Sequence, residues 1–199
     1  MHEVAVISAR RTAVGKAKKG SFKDTRPDDM LAPVLKAVVE DSNVDPNTIG
    51  DVVIGTATPE AEQGMNIARI AALMAGVPDS VPAMTINRFC SSGLQAIAIA
   101  ANQIASGQTE VAIAGGVDSI SMRTRQEPGK AKQNQRLLDE KPDIFMAMGN
   151  TAEVVARRYQ VTREMQDEYA LQSQQRYAAA VEAGKIAEEI VGMNATMLK

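Results

Sequence analysis

The chain has 199 residues, 45% hydrophobic and 23% charged, which is an ordinary globular composition for one large domain or one domain plus part of a second. A net charge of −2, with 3% aromatic residues and no tryptophan, argues against nucleic acid and anionic membrane as partners. The single cysteine, Cys90, leaves no intrachain disulfide framework and fits a reducing, cytoplasmic setting.

The opening MHEVAVISARRTAVG has an apolar run too short for a signal-peptide core and predicts a first buried strand over Val4, Ala5, Val6 and Ile7. No apolar stretch approaches the roughly 20 residues of a membrane span. A loop over residues 9–27 follows. Its Lys16, Lys18 and Lys19 read as solvated surface or as contacts for a cofactor's phosphates. Asp28 can cap a helix reaching about residue 41, with Leu31, Val34, Leu35 and Val38 on one face.

A turn at 43–47, containing Pro46, leads to a second strand at 51–55. Residues 64–76 read as a helix ended by Gly76, and 83–87 as a third strand. The run GLQAIAIAANQIASG is apolar on most faces, which predicts a centrally buried helix. A fourth strand at 110–116 has almost no polar alternation. Strands of this kind are buried on both faces, so the sheet needs helices on each side.

After Ser121 the texture changes. Residues 123–141 are polar, with Pro128 and Gly129, and read as a long excursion in which Arg123, Arg125, Lys130 and Lys132 are solvated or face a cofactor. Helices are expected at 151–158 and 162–183, the second with Tyr169, Leu171, Tyr177 and Val181 as its apolar stripe. Ile190 and Val191 begin a further possible strand. Asn194-Ala195-Thr196 matches a glycosylation acceptor by chance composition.

The informative segment runs Thr85-Ile86-Asn87-Arg88-Phe89-Cys90-Ser91-Ser92-Gly93-Leu94. A buried strand enters a turn of small residues and a buried helix leaves it. Cys90 therefore stands beside a helix N-terminus, where unpaired N–H groups and the macrodipole favour a thiolate. From these residues alone two readings stand: a nucleophile, or a buried structural thiol, since free cysteine is among the most buried residue types. A catalytic thiol needs a base, and the one histidine is His2, at the fraying end of the chain.

Residues Asn87 to Ala96 resemble the acyl-accepting signature of the thiolases, the acetyl-CoA or 3-ketoacyl-CoA acyltransferases. Further matches lie on both sides. Ala9-Arg10-Arg11-Thr12-Ala13-Val14-Gly15 is similar to the family's opening, with Ala13 where proline is commoner. Gly55 to Arg69, including Pro59-Glu60-Ala61-Glu62-Gln63-Gly64, is similar to a segment of many degradative members. Ala114 to Ser121 resembles a Gly-Gly-Met-Glu-Ser-Met-Ser pattern, departing at Val117, Asp118 and Ile120. Met148 to Glu153 and Thr162 to Asp167 match later landmarks, and the resemblance extends over essentially the whole chain.

The resemblance implies an α/β fold, a thiolase-type layered arrangement with a mostly parallel five-stranded sheet between helices. Residues 1–121 would form the domain carrying the nucleophile and 122–199 the first part of a helical, coenzyme-A-binding loop domain, with the C-terminal thiolase domain absent from this chain. The implied function is acyl-CoA C-acyltransfer: reversible thiolysis or Claisen condensation of 3-ketoacyl-CoA and acetyl-CoA. Cys90 would carry the acyl group, with its own backbone N–H donating to the oxyanion. Met148 would line the pantetheine tunnel, ordinary core packing being its other reading. Coenzyme A thioesters are the implied substrates, with no tightly bound cofactor and no metal.

In the family a base histidine, a second cysteine and a water-holding asparagine come from the C-terminal half. With one histidine and one cysteine the chain does not supply that set, so it is expected to act with a second half, on another chain or in a longer one, and within a homo-oligomer. Ala147 stands where some acetoacetyl-forming members have a histidine, which leans toward longer or different acyl chains. The alternatives are a non-catalytic thiolase-like subunit in a larger complex and a related condensing enzyme such as a ketoacyl synthase. The order of the flanking landmarks favours a thiolase.

Overall fold

Helix α1 spans Pro27–Ser42, and proline suits its first position because the N–H it lacks has no helical partner there. The cap position belongs to Arg26 rather than to the expected Asp28. Asp28 sits one residue inside the helix, where its carboxylate accepts from the Arg26 guanidinium at 2.7 Å and from the Asp29 N–H at 3.2 Å. Asn43, left-handed at φ 54°, ends the helix. Asp45 then caps a short 3-10 turn. It accepts from the Asn47 backbone N–H at 3.0 Å and side-chain amide at 2.9 Å, and these bonds hold its carboxyl below the ordinary carboxylate range.

The computed structural model describes residues 2–123 and 133–198. Its sheet consists of β1 (Ile49–Gly55), β2 (Ala83–Ile86) and β3 (Val111–Gly116), ordered β2-β1-β3 with both pairings parallel. Helix α2 (Ile67–Met74) lies between β1 and β2 in sequence, and α3 (Ser92–Ala105) between β2 and β3. The Asn66 side chain caps α2 by accepting from the Arg69 N–H at 3.3 Å. The helix expected over 64–76 is shorter because Met65 is left-handed at φ 55° and the cap falls at Asn66, while Ala75 already closes the other end.

Strand parity shows what covers each face of the sheet. Asp51 accepts from Gln103 of α3 at 2.8 Å, and Gly55 abuts Ser92 of the same helix. Val53, between them and fully buried, shares that face because side chains alternate along a strand. Val52 and Ile54 point the other way and pack with Leu31 and Leu35 of α1 and with Ala68, Ala71 and Ala72 of α2. Helices on both faces explain why β1 is apolar from Val52 to Gly55 with no polar alternation.

Three strands are found among the described residues, not five. Val4 to Ile7 is not a strand, although its pattern predicts one; Val6 and Ile7 are 81% and 61% exposed. The segment is tied at its two ends instead. The His2 N–H donates to the Ala105 carbonyl at 3.1 Å, and the Arg11 N–H to the Glu189 carbonyl at 2.9 Å. Val191 returns a bond to the Arg11 carbonyl at 2.8 Å, so Ile190 contributes one isolated parallel bridge. Between segment 4–12, α1, α3 and the open edge of β3 lies a largely apolar cavity of about 550 Å³.

The chain divides into two compact units, Met1–Pro128 with Glu189–Lys199, and Gly129–Glu188. A four-residue helix α4 (Ile120–Arg123) follows β3. The second unit holds α5 (Gln135–Glu140), inside what reads as loop in the sequence, α6 (Met148–Tyr159) and α7 (Arg163–Glu182). Thr162 caps α7 by accepting from the Met165 N–H at 3.3 Å, and Gly184 turns left-handed just beyond it. None of the described residues of this unit is buried. The expected stripe of Tyr169, Leu171, Tyr177 and Val181 is exposed. No helix of the described residues is long and apolar enough to cross a membrane.

A Cβ at Gly55 would fall 2.3 Å from the Ser92 carbonyl carbon, whereas one at Gly149 meets nothing within 4 Å. Backbone cannot swing aside as a side chain can. Gly55→Ala should therefore destabilise the protein by at least about 1–3 kcal/mol in urea denaturation, and Gly149→Ala should leave stability unchanged or raise it by up to about 1 kcal/mol. Equal midpoints for the two variants would show that the helix does not rest on Gly55.

Candidate active site

Cys90 lies where β2 passes into α3. Residues Phe89–Ser91 make a single 3-10 turn that runs directly into the helix. Phe89 adopts φ 48°, a left-handed conformation that costs a non-glycine residue roughly 1–2 kcal/mol. Both of its backbone groups are captured. Its N–H donates to Asn87 Oδ1 at 2.7 Å, and its carbonyl accepts from Ser92 Oγ at 2.6 Å. Ser92 Oγ in turn accepts from the Arg88 N–H at 2.9 Å, and Ser91 Oγ donates to the Arg88 carbonyl at 3.0 Å.

The serines thus tie the turn rather than cap the helix, whose start carries no side-chain cap. Ser92 is buried, while Cys90 is exposed. A thiol held outward by an internally bonded turn does not fit the reading of Cys90 as a buried structural residue. Its environment is that of a group open to a reactant.

Packing beneath the turn is backbone against backbone. Gly116 Cβ-space is filled by the Gly55 carbonyl oxygen at 3.0 Å and by Gly93 Cα at 3.3 Å. These glycines bring the first turn of α3 onto the ends of β1 and β3, closer than any side chain would permit. Asn87 joins the turn to the loop after β1 through its Nδ2, which donates to the Ala57 carbonyl at 3.2 Å.

A polar cluster that the sequence reading assigns no role adjoins this loop. Asp118 accepts from Thr56 Oγ1 at 3.0 Å and from the Ala57 N–H at 3.0 Å. Gln63, 1% exposed, donates to the Thr58 carbonyl at 2.8 Å and accepts from the Ser119 N–H. In the sequence Gln63 and Asp118 appear only as members of two separate family-like segments. Nothing local links residues 55 positions apart.

His2 is placed at the far end of α3, bonded through its N–H to Ala105. The helix has 14 residues, which puts about 20 Å between His2 and Cys90. His2 is therefore not the base of a thiol at Cys90. Met148 belongs to the second unit, where it opens α6 and is 72% exposed, so it is not a core residue of that unit. Ala147 precedes it at the cap position. Lys16 and Lys19 are exposed on a turn in which the Lys18 N–H donates to Ser121 Oγ at 2.8 Å. Arg125, Lys130 and Lys132 lie outside the described residues. No group of three or more histidine, cysteine, aspartate or glutamate side chains among the described residues could hold a metal ion.

Residues 4–199 match the family described as "Thiolase, N-terminal domain", and the chain belongs to the thiolase family. It is 46% identical over 197 residues to a 3-ketoacyl-CoA thiolase of Bacillus subtilis, covering 99% of this chain and 50% of that protein. A peroxisomal 3-ketoacyl-CoA thiolase of Rattus norvegicus is 41% identical over 98% of this chain and 45% of its own length. The crystal structure of the Bacillus anthracis acetyl-CoA acetyltransferase superimposes with a TM-score of 0.84 at 34% identity, over 100% of this chain and 52% of that one. The chain thus spans about half the length of the relatives it matches.

Ser92→Ala removes two bonds that hold the turn, those to Arg88 and Phe89. The expected loss is about 1–3 kcal/mol of stability, read as a lower urea midpoint at unchanged m-value. A wild-type midpoint would mean that these bonds contribute nothing net.

Proposed function

We propose that the protein is an acyl-CoA C-acyltransferase of the thiolase type and that this chain supplies its nucleophile, Cys90. The observation that carries the reading is an exposed thiol at the strand-to-helix turn, in a chain of the thiolase family. Coenzyme A thioesters are the proposed substrates, with no tightly bound cofactor. The Cys90 sulfur attacks the thioester carbonyl, the carbon–sulfur bond to coenzyme A breaks, and the departing thiolate takes up the proton that Cys90 gave up. A second thiol or a carbon nucleophile then removes the acyl group. The Cys90 backbone N–H at the entry to α3 is proposed to donate to the oxyanion of the tetrahedral intermediate.

Met148 is proposed to contact the pantetheine arm. The proton-transfer groups are proposed to come from a second half, since the chain holds one histidine and one cysteine and His2 lies about 20 Å from Cys90. A homo-oligomeric assembly is proposed as well. Leu94 and Ile97 of α3, 72% and 50% exposed, support a need for further covering surface. The proposed setting is cytoplasmic, where a free thiol stays reduced, although the named rat relative is peroxisomal. An outward thiol also favours this reading over a purely structural subunit.

Acid quenching of the assembled enzyme with acetyl-CoA, followed by peptide mass mapping, should find the acyl group on Cys90. Cys90→Ser should abolish turnover. An adduct on another residue, or full activity of the serine variant, would falsify the assignment. The 199-residue chain by itself should show at most trace turnover, because general acid–base help is worth about 10²–10⁴-fold. Sustained thiolysis by that purified chain would require a base within it.

A further inference from the structure

We propose that Asp118 is a positioning residue for Cys90, acting through Ala57 and Asn87; the inference rests on the reading of Cys90 as the acyl-accepting nucleophile. Asp118 follows the end of β3, which is held beside β1 as far as the bond from the Val117 N–H to the Gly55 carbonyl, 3.0 Å. Its carboxylate gathers the donors of the loop after β1. Oδ1 accepts from Thr56 Oγ1 at 3.0 Å, the Ala57 N–H at 3.2 Å, Thr58 Oγ1 at 3.3 Å and Gln63 Nε2 at 3.4 Å, and Oδ2 accepts from the Ala57 N–H at 3.0 Å. Ionised carboxylates suit this task because both oxygens accept and neither donates.

Ala57 is held from both sides. Asp118 fixes its N–H, and its carbonyl is the acceptor that orients the Asn87 side chain at 3.2 Å. The other end of that amide, Oδ1, holds the Phe89 N–H at 2.7 Å and with it the left-handed φ of 48° just before Cys90. A conformation of this kind persists only where its surroundings over-determine it. Each link is a hydrogen bond, so slackness at residues 56–58 reaches the residue that aims the thiol. Gln63 stiffens the same corner. It is buried and bonds both Thr58 and the Ser119 N–H.

The test compares Asp118→Ala, Asp118→Asn, Asn87→Ala and the Asp118→Ala/Asn87→Ala double variant in the assembled enzyme. Two rates are measured for each: acylation of Cys90 by acetyl-CoA and its alkylation by iodoacetamide. Acylation needs the sulfur aimed at a bound thioester, whereas alkylation needs only an accessible thiol. Asp118→Ala should slow acylation about tenfold, equivalent to about 1.4 kcal/mol, with KM and the alkylation rate within about twofold of wild type. Asp118→Asn keeps one carbonyl oxygen as acceptor and should recover acylation to within about threefold. The double variant should be no slower than the slower single variant, because both residues act in one series of contacts. Where Asp118→Ala fails to fold, Asp118→Asn with Asn87→Ala completes the same cycle.

Undiminished acylation in Asp118→Ala, single losses that multiply in the double variant, or alkylation falling in parallel with acylation would each overturn the proposal. A wild-type enzyme that never acylates Cys90 would overturn the nucleophile reading and this inference together. Wild-type acylation with indifferent variants overturns the positioning role alone.

Discussion

The first turn of helix α3 meets the ends of β1 and β3 without side chains between them. Gly55, Gly93 and Gly116 leave the backbones of β1, β3 and the first turn of α3 in direct contact, with Gly116 facing the Gly55 carbonyl and Gly93 Cα. Everything at the Cys90 turn depends on that approach. A helix standing farther off would carry Ser92 away from the Arg88 N–H and the Phe89 carbonyl, and the left-handed residue before Cys90 would lose part of what holds it. The thiol's outward presentation is thus a consequence of packing at its least compressible, where any added methyl group must displace main chain.

The same helix separates the chain's one cysteine from its one histidine. Cys90 precedes its first turn, while His2 is bonded to its last residue, Ala105. A helix is a stiff spacer of 1.5 Å per residue, so local adjustment does not close a gap of about 20 Å. The unit described here therefore accounts for how the thiol is displayed and not for how its proton is handled. Both facts follow from one element.

Much of this was legible in the sequence, for reasons that differ by element. The strands expected at 51–55, 83–87 and 110–116 were legible because a parallel sheet covered by helices leaves little polar alternation, and β1, β2 and β3 lie there to within two residues at each end. The strand–turn–helix setting of Cys90 was legible because small residues between two apolar segments leave few other geometries. Val4 to Ile7 misleads because periodicity reports what a segment could pair with, not whether an edge is within reach. Here the segment's bonds go to Ala105 and Glu189, at its ends. Asp28 misleads for a local reason: Pro27 already occupies the first helical position and moves the cap back to Arg26. The buried face of α3 was overestimated, since Ser92, Ala96 and Ala100 alone are buried while Leu94 and Ile97 are exposed.

The polar corner around Asp118 was not legible at all, and topology explains why it exists. In a parallel sheet every strand ends at the same edge, so the loops that leave those ends become neighbours whatever their separation in sequence. Gly55, Ile86 and Gly116 are in register or nearly so at that edge, as the Gly55–Ile86 and Gly55–Gly116 pairs record. Residues 56–58, 87–91 and 117–119 must then share one small volume. Their backbone groups, freed from the ladder, need partners there. One carboxylate and two amides, on Asp118, Gln63 and Asn87, meet that need between three loops that no local signal connects. The arrangement that satisfies the strand ends is thus the arrangement that fixes the turn before Cys90.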